Sequence, residues 1–338
     1  MIGDLIWSHD LADYLNCLDV SSSGPLIVGS LGGDAAIIDG DTGEHRDLQR
    51  HEMGVLSTAW DPSGQRVAVG GQDGTVRIYD PMGGQIGQIN TDDWVNDVAW
   101  SPMETILAIA SGKTLTLTDA DAQVLHRCQP RSSTITSVAW ATTGLRVGSA
   151  AYGGIAWYDP ETITDGRPTR EHEFKGSALS IALAPSGKWA CAGFQDATIH
   201  LWKLWSGDEL SMSGYPAKIE LLAFDPDSHW MVSACLEELT FWDFSGRGPR
   251  GRTPARGAVH DRHVTAVAWH RSGEYLLSGG ADGRVVLWPA PRRRGEEVEP
   301  LFVHHAGDTV SQVAWNSEGT ALFIGCADGR IEARALEI

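Results

Sequence analysis

The stretch HDRHVTAVAWHRSGEYLLSGGADGRVVLWP, residues 260–289, holds three short apolar runs separated by two tight turns. VTAVAW (264–269) ends in a large aromatic, and the turn HRSG (270–273) follows. YLLSGG (275–280) leads through an Asp-Gly turn to RVVLWP (284–289). Runs of five or six residues rich in Val, Leu and aromatics, divided by Gly and Asp, are antiparallel hairpin material.

The first run recurs along the chain. It reads STAW to Trp60, DVAW to Trp100, SVAW to Trp140, SIAL to Leu183, LLAF to Phe224, AVAW to Trp269 and QVAW to Trp315, with a degraded copy, NCLDV, ending at Val20. The spacings are 40, 40, 40, 43, 41, 45 and 46 residues. A period of about 40–45 residues belongs to propeller blades of four strands. The first, second and third strands number eight each, but only seven fourth strands follow them; DLIWSH (4–9), before the first marker, supplies the missing one. The expected fold is therefore all-β: an eight-bladed β-propeller of four-stranded antiparallel blades, closed by the N-terminal strand in the last blade. One domain spans 1–338, with units at 11–50, 51–90, 91–130, 131–174, 175–214, 215–257, 258–303 and 304–338 plus 4–9. No stretch sustains a 3.6-residue apolar period, so almost no helix is expected.

This pattern resembles the WD-repeat family along essentially the whole chain. The resemblance implies a hydrogen-bonded structural tetrad in the best unit: His260, Ser278, Asp282 and Trp288. Other units depart from it. The second keeps His51 and Asp73 but has Val69 and Tyr79; the fifth keeps Asp196 and Trp202 but has Phe174 and Ala192; the third has Thr118 in place of Trp. The Trp residues closing the first strands are expected to wedge between neighbouring blades.

Composition narrows the function. The formal net charge of −18 repels phosphate backbones and anionic membranes, so neither nucleic acid nor membrane is an expected partner. No apolar run reaches the roughly 18 residues of a membrane span. MIGDLIWSHDL lacks a basic n-region, so no signal peptide is expected and the chain reads as cytoplasmic. The five Cys show no CxxC pair and read as buried reduced thiols. No phosphate-binding glycine loop, GxSxG or HExxH is present, so no catalytic residue, cofactor or metal is assigned. The channel-lining strands offer Asn16, Asp19, Asn96, Asp97, Glu220 and Gln312, none of them His.

Two surfaces stand out. Before the first strands lie Tyr14, Gly54, Trp94, Thr134, Ser177, Lys218, His263 and Thr309; with Asp92, Asp93, Arg131, Tyr152, Phe194, Tyr215, Glu237 and Glu238 they are expected around one mouth of the channel, the top face. Trp, Tyr and Arg dominate binding hot spots, so Trp94 flanked by two acids makes this face the expected partner site. On the opposite face, 245–257 and 289–300 carry Arg247, Arg250, Arg252, Arg256, Arg292, Arg293 and Arg294, a candidate patch for an acidic partner. The reading is a non-catalytic scaffold for one or more proteins or peptides. Its alternatives are a metal-dependent hydrolase or lactonase using the channel and, more weakly, a metal-handling accessory protein using His304 and His305.

Overall fold

A computed structural model describes residues 2–204, 206 and 208–336. Every element among them is a strand, and they include no helix long and apolar enough to cross a membrane. The innermost strands, each ending at a marker residue, run Leu15–Val20, Val55–Trp60, Val95–Trp100, Ile135–Trp140, the C-terminal half of Arg170–Leu183, Leu221–Phe224, Val264–Trp269 and Val310–Trp315. Each packs on the next, and the last meets the first.

The expected division into eight blades is corrected. The strands form seven hydrogen-bonded blades, six of four strands and one of six. The fourth and fifth repeat units share the six-stranded blade because Arg170–Leu183 runs unbroken from the outer strand of one into the inner strand of the other. Elsewhere a connection of four to eight residues separates these strands. Here only Lys175 and Gly176 intervene, absorbed as irregularities of register. The same blade also merges its second and third strands into Val147–Tyr158, bent at Gly153 and Gly154, whose φ values of 98° and 106° side chains rarely adopt.

The core lies between units. One cluster joins Cys17, Ile27 and Ile37 to Val55, Trp60 and Val69; another joins Val232, Leu239 and Phe241 to Val264, Leu276 and Trp288. Within the six-stranded blade, Ile155 and Trp157 belong with Ala190, Phe194 and Trp202. Each inner face thus depends on its neighbour, as in stacked repeats generally. All five cysteines are free and buried.

The N-terminal strand Ile2–Asp10 pairs antiparallel with the C-terminal strand Arg330–Leu336, in the order N-terminal strand, Arg330–Leu336, Ala321–Cys326, Val310–Trp315. Its buried Trp7 clusters with Leu26, Val28 and Ile38 of the first unit and Phe323 of the last. The Trp7 indole N–H donates to the Gly40 carbonyl at 2.9 Å. One side chain therefore joins the two ends of the chain. Trp7→Ala is expected to cost about 3–5 kcal/mol in urea denaturation; a loss below about 1 kcal/mol would show that this seam contributes little.

Candidate interaction surface

The loops of one face are tied down through backbone hydrogen bonds. In six units the residue before the inner strand accepts from the following second-to-third turn: Leu31 N–H donates to Tyr14, Gln72 to Gly54, Gly112 to Trp94, Gln195 to Ser177, Ala281 to His263 and Ala327 to Thr309. Side chains there stand on fixed backbone.

The expected top-face residues divide into three groups. Tyr14, Lys218 and His263 meet in one cavity of about 560 Å³ at the channel, with Asn16, Glu220 and Gln312. Lys218 pairs with Glu220 at 2.8 Å, and both His263 and Lys218 are exposed. Arg131 and Tyr152 line a separate groove of about 670 Å³ with Glu171, Glu173 and Lys175. Trp94, Asp92 and Asp93 stand on the surface outside both. Asp93 accepts the Trp94 N–H at 2.8 Å, and Asp92 pairs with Arg127 at 3.1 Å.

Two members are corrected. Phe194 is fully buried, its ring 4.7 Å edge-on from Phe174. Tyr215 turns inward: its hydroxyl lies 2.9 Å from Ser233 Oγ and accepts the Trp242 indole N–H at 2.7 Å. Burial pushes this phenol up to about 12. Counted back from the marker, Tyr215 holds the position of His260, and so does Arg131, which donates to Ser149 Oγ at 3.3 Å. The alignment of Tyr215 with His260 is the sequence signal that this side chain points inward although its loop lies at the surface.

His260 itself lies 2.8 Å from Ser278 Oγ through Nε2 and 3.1 Å from Asp282 through Nδ1, while the Trp288 indole donates to Ser278 Oγ at 2.8 Å. Burial holds the imidazole below its usual range, against the pull of Asp282. In the second unit His51 lies 3.0 Å from both Asp73 oxygens, and Asp73 also accepts from Glu52 N–H and from Thr75. Burial works to raise this carboxyl, but the bonds from His51 and Thr75 outweigh it and hold it at about 2.

The channel wall spends most of its polar groups on neighbouring strands. Asn16 donates to Val55 O at 3.0 Å, Asn96 to Ile135 O at 3.2 Å and Gln312 to Asn16 O at 2.7 Å. Asp19 accepts the Trp60 N–H at 2.7 Å and Asp97 the Val138 N–H at 2.8 Å. Burial raises both carboxyls, Asp19 to about 6.

On the opposite face the arginines are partly neutralised. Arg252 and Arg294 converge on Asp243 at 2.6 and 2.5 Å; Arg256, expected among them, lies instead on the strand Ala255–Ala258 and reaches to 3.6 Å from Glu238 of the first face. Arg247, Arg250, Arg292 and Arg293 are exposed. Arg292 and Arg293 use their backbone N–H groups to cap Glu296 at 2.8 and 3.1 Å.

The family model for the WD domain, G-beta repeat, matches residues 44–80, 168–203, 257–289 and 297–332. The chain is similar to small ribosomal subunit protein RACK1y of Oryza sativa subsp. japonica, 26% identical over 123 residues covering 36% of this chain and 37% of the relative. It is also similar to small ribosomal subunit protein RACK1 of Glycine max, 25% identical over 131 residues covering 35% and 40%. The chain thus spans about two fifths of the length of these curated relatives. Among solved structures, the Dos1 propeller superposes with a TM-score of 0.84 at 14% identity, covering 98% of this chain and 95% of that one. The C-terminal WD40 domain of Sif2 gives 0.81 at 16%, covering 100% and 99%. These likenesses concern the fold alone.

Two measurements follow from the buried polar groups. Tyr215→Phe removes the hydroxyl that satisfies Ser233 and the Trp242 indole, and is expected to cost about 1–3 kcal/mol in denaturant melts; a neutral substitution would contradict a structural role. Asp19 has a folded pKa raised from about 3.9, so its contribution is fully present below about pH 4 and is lost as pH rises through about 6. Wild type is therefore expected to lose stability relative to Asp19→Asn between pH 4 and 7, on the order of 3 kcal/mol. A difference independent of pH would refute the raised carboxyl.

Proposed function

We propose, from the premise that this chain is a WD-repeat β-propeller, that it is a non-catalytic scaffold binding a protein or peptide on the face that carries Trp94. Trp94 carries the reading: a large aromatic left 49% exposed, on backbone bonded to Asp93 and Gly112. Exposed aromatics of this kind make binding hot spots, and a fixed backbone lowers the ordering cost of association. Asp92 and Asp93 beside it, on a chain of net charge −18, favour a basic segment. Tyr152, 44% exposed in the next unit, and the cavity of Tyr14, Lys218 and His263 extend the surface.

The relatives point the same way. Those from Oryza sativa and Glycine max are named as proteins of the small ribosomal subunit, an assembly in which a chain works through its contacts. The negative charge opposes direct contact with RNA phosphates, so the partner proposed here is protein. Channel side chains committed to neighbouring strands support a scaffold over a channel hydrolase or lactonase. Five buried free thiols suit a reducing compartment, so we place the protein in the cytoplasm, acting as one domain. Arg247, Arg250, Arg292 and Arg293 offer a second, basic footing on the other face.

Trp94→Ala is expected to weaken the partner recovered by affinity capture from native cells by about 2 kcal/mol or more, with an unchanged melting temperature. Calorimetric binding and thermal melting of the same protein measure both. An unaltered melt with unaltered affinity would move the partner to another surface, and a large fall in melting temperature would make Trp94 a packing residue.

A further inference from the structure

We propose that His9, His45 and Asp47 form a binding site for a divalent transition metal, with zinc the best match, at the seam between the N-terminal strand and the first unit. The sequence reading assigned no metal here. The geometry arises from two strands. His45 and Asp47 are two residues apart on the strand His45–Asp47, so they project from one side of it. His9 is two residues beyond Trp7 in a regular stretch of the N-terminal strand, so it projects on the side that Trp7 uses.

Trp7 fixes how the strands meet. Its indole donates to Gly40 and covers Gly43, where an added Cβ would come within 2.7 Å of Trp7 Cγ. Only a glycine, here with φ 76°, allows that approach. His9 is thereby carried onto the His45 strand. One donor atom from each of His9, His45 and Asp47 lies within 4.8 Å of the others, and the two imidazole centroids are 4.0 Å apart. His9 Nε2 is buried without a hydrogen-bond partner among the described residues.

A metal ion answers this arrangement chemically. Two crowded imidazoles that repel when protonated become joint donors when neutral, and the carboxylate offsets the ion's charge. Two nitrogens and one carboxylate oxygen suit zinc and its neighbours; magnesium and calcium prefer oxygen throughout. Three protein ligands leave a fourth position open to water or to a donor from a partner. Because the donors come from both sides of the seam where the chain ends meet, bound metal would clamp the N-terminal strand to the first unit.

The probe is zinc ion alone, added to the full metal-free chain at neutral pH and followed by calorimetry and thermal melting. We expect one strong equivalent and a rise in melting temperature with zinc concentration, as linkage requires. His45→Ala and Asp47→Ala alter exposed side chains, so the metal-free melts should match wild type while zinc affinity falls at least tenfold. The double substitution His304→Ala, His305→Ala should leave that affinity unchanged. Absence of a strong equivalent in wild type would overturn the site, as would equal affinity in His45→Ala or loss of binding only in the His304, His305 variant.

Discussion

The structure rests on hydrogen bonds that pass from one inner strand to the next around the channel. Side chains four residues before the marker donate to the neighbouring inner strand: Asn16 to Val55, Asn96 to Ile135, Thr136 to Ala178 and Thr265 to Val310. At the marker itself, the indoles of Trp100, Trp140, Trp269 and Trp315 donate backwards to Ala59, Ala99, Ala223 and Ala268. Most inner strands are thus tied to a neighbour at one or both ends. A buried indole N–H needs an acceptor, and the carbonyl it finds is one that the inner end of a sheet would otherwise leave unpaired.

Most polar groups of the channel wall are used to hold the ring, which supports the proposal that recognition takes place at the rims. There, turns bonded to the residues before the inner strands present Trp94, Tyr14 and His263 on backbone that cannot readily move. A rigid ring with fixed, varied side chains at its mouth is suited to recognising a partner with little loss of entropy. The pairing of Arg252 and Arg294 with Asp243 similarly converts part of a basic patch into loop structure, leaving fewer cations for a partner than the composition suggests.

Much of this was legible in the sequence. The recurring marker gives the repeat, and its spacing the propeller. His260, Ser278, Asp282 and Trp288 are placed by alignment alone. The double blade was not legible, since the separation of two strands there depends on whether Lys175 and Gly176 make a turn or a bulge, a choice set by packing. Nor was the fate of Tyr215, where a phenol takes over an imidazole's place, because the motif specifies residue types and the fold requires only a buried polar group that satisfies Ser233 and Trp242. The meeting of His9 with His45 and Asp47 depends on where the N-terminal strand lies against the first unit, a relation that local pattern does not contain.

The scaffold reading is tested most directly by hydrogen exchange on the complex captured from native cells, compared with the free chain. The account predicts new protection at residues 92–94, 152–154, 218 and 263, whether or not the loops 245–257 and 289–300 are also protected. Protection confined to those two loops, or spread only along the outer strands, would contradict it.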